Sequence, residues 1–575
     1  MAAGFRRFFL YLLLSLAFLW PLPLHLTTRL PATPYWWDAV HHLFVADTSR
    51  GNSFNAGAHR LDSLAFYPHP HSLLFSEHLL LFGLLFAPIE AVSTRPAAYN
   101  SVLILLFALA GFSMDRLARR LGARPWAAAI AGAAFAFSPI HLFHLARATV
   151  LTGFCLPLAW QALLDWWDEP RPRRALALGA VLALPAFFSL YTTAFVGLTV
   201  LILVAGMALG SSAASRPRAG KTLAIALLPL SLAVAYDWPY FSERGASGLS
   251  RTPQEIADWS GTPRQLISAD PLSRAWGAVL PDPERFEGSS AFLGGVAWAI
   301  LLLGSFRVLR GPRESPVASG LFLTALACLL FYFGPTLRLG GASLPAPWSA
   351  LMDLPGLQSI RALRRFSTPL LAAALALGAP VVSDLVERRV SLRRFVVPLL
   401  FVLLFADLWP RPIPLRAHED PCASPLWQAL AARPDKKPVF SLPYRFHAEG
   451  ALVQEATRCH GHPTTNGALS YFPADLKELR DLSERMAEPE ACRQLVDRLQ
   501  GMRVGYAAIN ARSLEPPPRR AARCLLSEGA TPVFSDECSA LFELPAARPE
   551  NINEEATLGV DLIAAFARCQ RRDIP

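Results

Sequence analysis

Charge is what this 575-residue chain has least of: 17% of its residues are Asp, Glu, Lys or Arg. Soluble globular domains carry about 25%. With 53% hydrophobic residues and a mean hydropathy of +0.32, the shortfall points to an integral membrane protein. Phosphate-cradling motifs are missing as well. There is no Walker loop, and no GxGxxG opens a helix after a strand, so nothing suggests a cytoplasmic nucleotide site. No CxxC or Cys/His pair has zinc spacing, which argues against a structural metal. The apolar stretches carry little mid-membrane charge, with Asp237, Asp384 and Asp407 falling near their ends. Ion-coupled transport is therefore the weaker reading.

The charge deficit is local. Apolar blocks fill the chain to about residue 410, and the remainder has the composition of an ordinary soluble domain. A spanning helix needs roughly 20 mostly apolar residues. Segments 8–26, 98–115, 126–143, 149–167, 175–190, 192–209, 222–240, 290–306, 318–334, 367–386 and 395–410 qualify or nearly qualify, which predicts about eleven spans. The first is read as an uncleaved anchor, because no small-x-small cleavage site follows its apolar run.

The net charge of +10 does not mark a nucleic-acid binder, because the arginines cluster in short hinges between apolar blocks. Arg6–Arg7, Arg116–Arg124, Arg171–Arg174, Arg216–Lys221, Arg307–Arg313 and Arg388–Arg394 occupy every second hinge. The positive-inside rule makes these hinges, and the N-terminus, cytoplasmic. Loops 27–97, 241–289 and 335–366 and the residues after 410 then lie outside the inner membrane. Counting 78–93 as a span would invert every later hinge. That segment is short and holds Pro88 and Glu90, so it is expected to lie at the outer interface.

Residues 411–575 read as a small α/β domain. Strands are expected at 438–442, 504–509 and 540–544, and helices at 424–432, 474–487 and 490–499. Its six cysteines, in an oxidising compartment, allow fifteen disulfide pairings. Cys155 and Cys328 lie in spans and are expected to be inert.

The first outer loop concentrates chemistry-bearing residues: Asp38, Asp47, Asp62 and Glu77 with His41, His42, His69, His71 and His78, among Trp36, Trp37, Phe66 and Tyr67. Aromatics at an interface are ordinary anchors. An Asp just beyond a spanning helix is also placed to act as a general base toward a lipid-linked substrate, while the bland reading is a solvated loop with capping carboxylates. His41–His42 or His69–His71 would suit a divalent metal, which is the less favoured reading, and no cofactor is otherwise implied. Arg361, Arg364 and Arg365 stand on the outer side, against the basic trend. They are either snorkelling interfacial residues or ligands of a phosphate, for which a guanidinium fork is suited. His141, His144 and Arg147 end the third span. Tyr191, Tyr240, Asp270 and Glu287 border the outer side and are weaker substrate contacts. Asn466–Gly467 reads as a turn, with His460 and His462 beside it as candidates for acceptor selection.

Six stretches in collinear order carry a resemblance: FYPHPHSLLFSEHLL (66–80), PAAYNSVLILLFALAGF (96–112), AGAAFAFSPIHLFHLA (131–146), FGPTLRL (333–339), LPGLQSIRALRRFS (354–367) and HGHPTTNGALSYFP (460–473). Together they resemble a bacterial branch of the GT-C superfamily, membrane glycosyltransferases that use polyprenyl-phosphate sugars. The resemblance implies an all-α polytopic membrane domain over 1–410, interfacial helices in the 27–97 loop, and transfer of a sugar to an envelope acceptor. It implies a first-loop acid at Asp38, where Trp37 replaces the Gly usual before it, and a second acid at Glu77. His78, His144, Arg147, Tyr191 and Glu287 would be lesser substrate contacts. The donor's phosphate would fall to Arg361, Arg364 and Arg365. A silent protein that binds or moves lipid-linked glycans, and a solute transporter, are the alternatives from other classes.

Overall fold

The computed structural model describes residues 2–211, 220–246, 249, 251–281, 291–310, 315–339, 342–354, 356–388, 390–468, 470–510, 518–546 and 566. Two compact units emerge. One comprises Met1–Tyr35 and Leu79–Ala417, the other Trp36–His78 and His418–Pro575. The division departs from the expected one: residues 36–78, read as a loop of the membrane domain, belong with the C-terminal residues.

The first unit is helical. Among the described residues, five helices are long and apolar enough to cross a bilayer: Arg95–Arg120, Pro125–His144, Leu190–Gly210, Thr222–Arg244 and Leu363–Glu387. Several start on sequence-encoded caps, with the Thr94, Ser189 and Ser315 hydroxyls accepting from Ala97, Thr192 and Ala318 amides. Other expected spans contain shorter helices. Segment 149–167 is split into a 3-10 turn, Val150–Phe154, and the helix Cys155–Asp168. Segment 175–190 becomes Pro172–Ala183 followed by a 3-10 turn at Pro185. Proline removes the amide that would continue the α ladder there. Leu80–Glu90 has 11 residues, so it is about 16 Å long, roughly half a hydrocarbon core.

Glycines let the helix axes approach. A methyl group on Gly206 would sit 2.6 Å from the Gly320 Cα, and one on Gly304 would sit 2.9 Å from the Gly378 Cα. Small residues at such crossings are the usual means of helix association in lipid. At the periphery, Leu223, Leu227, Leu228, Leu232, Val234 and Trp238 stand exposed along Gly220–Ala246. An apolar stripe of this extent is compatible with lipid rather than water, and the chain is a membrane protein.

The basic hinges gather at one end of this unit. Arg7 and Arg119 both pair with the buried Asp115, at 3.2 and 3.0 Å. Arg120 bonds Asp165 and Asp168. The Arg124 amide donates to Ser383 and the Trp126 indole to Glu387. Arg307 and Arg388 share Asp384, and Arg393 holds Glu387. The other end is tied by main chain: Arg29–Pro31 pairs antiparallel with Leu415–Ala417, and Asn100 donates to the carbonyls of Leu26 and Arg29. Asp407 caps the Gly295–Arg310 helix there, accepting the Gly295 and Val296 amides at 2.9 Å and the Trp276 indole at 2.5 Å. Two of the carboxylates near span ends thus have structural partners: Asp384 in an ion pair, Asp407 in a cap.

The second unit is built on a four-stranded mixed sheet. Its order is Val439–Leu442, Tyr506–Asn510, Ser539–Glu543, Thr531–Ser535, with the first pair parallel and the others antiparallel. Leu426, Trp427, Leu430, Val453 and Ala456 from two helices pack against Val439, Tyr506, Ala508 and Leu541. Disulfides join Cys422 to Cys459 and Cys492 to Cys524. Residues 64–67 run beside 464–466: the Phe66 and Tyr67 amides donate to the Asn466 and Thr464 carbonyls, and the Thr464 amide donates to Leu64. Phe66, wholly buried, fills the space where Gly467 lacks a side chain. This contact is the physical reason residues 36–78 belong here.

Asn466–Gly467 is not a turn. The buried Asn466 side chain accepts the Ser441 main-chain N–H through Oδ1 at 2.9 Å and donates through Nδ2 to the Ser441 carbonyl at 2.8 Å, as a strand neighbour would. His460 and His462 are buried, at 1% and 0% exposed. The His462 amide donates to His460 Nδ1, and the His462 ring bonds the Lys437 carbonyl.

Candidate functional site

In the second unit, Trp37–Ser53 is a 17-residue helix with Asp38 in its first turn. The partial positive charge of a helix N-terminus suits a carboxylate there. His41 follows one turn later, and its charge state responds to Asp38. Its Nε2 lies 3.1 Å from the Ser76 hydroxyl and its Nδ1 3.4 Å from the Gln454 side-chain oxygen. Burial pushes the His41 pKa down, and Asp38 and Gln454 offset part of that shift. Ser76 directly precedes Glu77. The neutral imidazole therefore joins the neighbourhoods of the two carboxylates singled out in the sequence, and both are half-buried. His78 is buried beside them. Gln454, 0% exposed, also accepts the Ala468 amide. Its role had no signal in the sequence, because it lies on Ala448–His460, a helix the reading of 411–575 did not include.

The histidines proposed as metal ligands take other partners. His69 pairs with Asp475 at 3.0 Å. His71 pairs with Asp62 at 3.2 Å, and Asp47 with Arg50. The HPH pair is thus split between two carboxylates.

In the first unit, the candidate arginines precede Ser367–Glu387, whose far end reaches Asp384 and Glu387 in the basic hinges. They occupy the opposite end of the unit, 21 residues away, or about 32 Å along a helix. Arg364 donates from Nε and Nη2 to the carbonyls of Trp259 and Asp258, both at 3.0 Å. The Arg361 guanidinium lies 4.0 Å over the Trp259 ring and 3.4 Å from Glu255. The Arg361 amide donates to the Tyr191 hydroxyl, and Arg365 lies 4.8 Å over the Tyr191 ring. Arg147, Arg364 and Arg365 all act electrostatically on His144. Arg147 is itself buried, 4.1 Å over the ring of Tyr35.

The structure therefore brings Arg147, Arg361, Arg364, Arg365, His144 and Tyr191 together. Guanidinium groups are suited to binding a phosphate or another anion. The platform of Glu255, Asp258 and Trp259 was missed. Its signal was present: Thr252-Pro253-Gln254-Glu255 is a capping sequence, and Thr252 does accept the Glu255 amide to start Pro253–Asp258. Tyr240 pairs with Arg244. Asp270 caps its own turn through the Leu272 amide. Glu287 lies outside the described residues.

Comparison with solved structures gives the fold. The arabinofuranosyltransferase AftD from Mycobacteria superposes with a TM-score of 0.60 at 16% identity, over 95% of this chain and 40% of that one. This chain thus spans about two fifths of that protein's length. The archaeal oligosaccharyltransferase AglB from Archaeoglobus fulgidus gives 0.51 at 12% identity, over 95% and 75%. No curated protein matches the sequence. The expectation of a GT-C fold is met. A family model described as "Domain of unknown function (DUF6311)" matches residues 58–409, and the chain, built on the GT-C fold, belongs to the DUF6311 family.

Proposed function

We propose that this protein is an inverting glycosyltransferase. It moves one sugar from a polyprenyl-phosphate donor to a cell-envelope acceptor on the outer face of the inner membrane, in polysaccharide biosynthesis. The observation that carries the reading is the arginine cluster at the end of the helical unit opposite the basic hinges. Charge placed against the positive-inside trend needs a reason, and a lipid phosphate supplies one. AglB, which shares the fold, has been solved with a dolichol-phosphate.

In this reading an acceptor hydroxyl attacks the anomeric carbon. Its C–O bond forms as the bond from the sugar to the phosphate oxygen breaks, and Asp38 takes the hydroxyl proton. The leaving group is polyprenyl phosphate. Arg361, Arg364 and Arg365, with Arg147, stabilise the negative charge that develops on it. Glu77 orients the sugar, and His41, held neutral by burial, keeps Asp38 and the Ser76–Glu77 segment in register.

The test is Asp38→Asn at unchanged membrane abundance. Glycan product is expected to vanish while polyprenyl phosphate still co-purifies. Arg365→Ala is expected to lose the co-purifying lipid. Normal product from Asp38→Asn removes Asp38 from the base role, and full lipid retention in Arg365→Ala removes the arginines from the phosphate site.

A further inference from the structure

The second unit carries a cleft of about 720 Å³ that the proposed chemistry does not use. Ligand pockets commonly measure about 300–1,000 Å³. The cleft opens where two parallel strands end, at Leu442 and Asn510, and where Ser539 begins the next strand. The carboxyl ends of parallel strands are where open α/β sheets bind ligands.

Three features of the wall define the ligand. The first is charge: Glu419, Asp420, Glu449, Asp536 and Glu537 line the cleft, with no Lys or Arg among the described residues that line it, and Asp420 and Glu449 pair with Arg458 and Arg445. A phosphate, a lipid phosphate or an acidic glycan would be repelled. Several of these groups are held in place from behind. One oxygen of Asp536 accepts the Cys538 and Ser539 amides, and Asp420 binds the Cys422 amide and Arg458. The second is an apolar side: Pro443, Trp427 and Leu452 line the same cleft, and Leu452 is 38% exposed although the unit has a core to bury it. The third is Ser441. It is 1% exposed and lines the cleft. Its main-chain groups are taken by Asn466, but its hydroxyl has no partner among the described residues.

Hydrogen-bond acceptors fixed from behind, an exposed apolar face and an unpartnered hydroxyl together match a neutral polyol. Its hydroxyls donate to the carboxylates while its C–H face covers Leu452 and Pro443. We infer that this cleft binds a neutral oligosaccharide. The inference rests on the glycosyltransferase reading only for the ligand's use as acceptor or product, since binding here requires no catalysis.

The test uses the full chain in nanodiscs, both native and Asp38→Asn. Saturation-transfer NMR is run with neutral tetrasaccharides: maltotetraose, cellotetraose, xylotetraose and an arabinofuranosyl tetrasaccharide. At least one is expected to bind equally to both proteins. Leu452→Asp, an exposed position where folding is retained, is expected to weaken that binding at least tenfold, and Ser441→Ala at least threefold. The inference is overturned if no tetrasaccharide binds, or if Leu452→Asp leaves binding unchanged. It is also overturned if Ca²⁺ or trilysine binds the cleft and no sugar does. Loss of binding in Asp38→Asn alone would place the sugar at the catalytic carboxylate instead, while an inactive enzyme that still binds sugar here overturns the function and leaves the cleft standing.

Discussion

His460 shows how a single buried side chain makes the second unit sensitive to acid. Burial, with the nearby His462 and Lys436, pushes its pKa from 6.5 down to about 3. The unfolded chain therefore takes up a proton that the folded unit refuses. Stability is complete above about pH 6.5 and is lost as the pH falls toward 3, by about 1.4 kcal/mol per unit. His41, shifted in the same direction, adds to the loss. At pH 5 the cost from His460 is about 2 kcal/mol, equivalent to about thirtyfold in the opening equilibrium. Hydrogen exchange of the 448–460 peptide, corrected for intrinsic rates, is expected to quicken by that factor between pH 7.5 and 5. A flat profile would mean that His460 is already protonated in the fold. Arg364 illustrates a different constraint. Its planar fork reaches two carbonyls at once, which a lysine cannot reproduce. Arg364→Lys is expected to reduce co-purifying polyprenyl phosphate severalfold although the charge is kept, a loss that charge alone would not explain.

Helix pairs in the first unit are set by glycine as much as by hydropathy. Gly206→Leu would force a side chain into Gly320, at a cost of about 1–3 kcal/mol or more. Gly197 lies on the same helix with nothing near its missing Cβ, so Gly197→Leu is the matched control. The expected result is a lower melting temperature in detergent for Gly206→Leu and little change for Gly197→Leu. Equal behaviour would mean that the crossing does not hold the helices together. Hydropathy marked where helices form, because a lipid-facing segment announces itself by composition. It could not show that 149–167 and 175–190 break into turns, since those breaks depend on Pro185 and on local ladders. In the second unit the three expected strands formed within a residue or two of their predicted limits. Thr531–Ser535, Ala448–His460 and Pro518–Ser527 were not foreseen. Thr531–Ser535 is an edge strand, and the two helices are buried by partners distant in sequence. Of the candidate site, the residue types were legible and the groupings were not: nothing local ties His41 to Gln454, or Arg364 to Trp259.

Across the whole chain, two kinds of long-range information differ in how they are written. The membership of residues 36–78 in the second unit rests on contacts such as Phe66 with Gly467, about four hundred positions apart, and no periodicity encodes it. The sidedness of the helical unit is encoded repeatedly, because each basic hinge carries the same signal. Five of those hinges do meet in a set of ion pairs and hydrogen bonds at one end of the unit, from Arg7–Asp115 and Arg120–Asp165 to Trp126–Glu387 and Arg307–Asp384–Arg388. Such a set needs an even number of crossings between any two of its hinges, so one hinge placed in the cytoplasm places them all. Arg171 is 73% exposed beside these pairs, and Val92 is 85% exposed in the 27–97 loop. With a membrane-impermeant maleimide on spheroplasts, Val92→Cys is expected to be labelled at once and Arg171→Cys only after lysis. Among the described residues the two free native cysteines, Cys155 and Cys328, are buried and stay silent. Labelling of Arg171→Cys before lysis would turn the unit over. It would carry the Arg361–Arg365 cluster to the cytoplasmic end, where a donor presented from the outer leaflet cannot reach it.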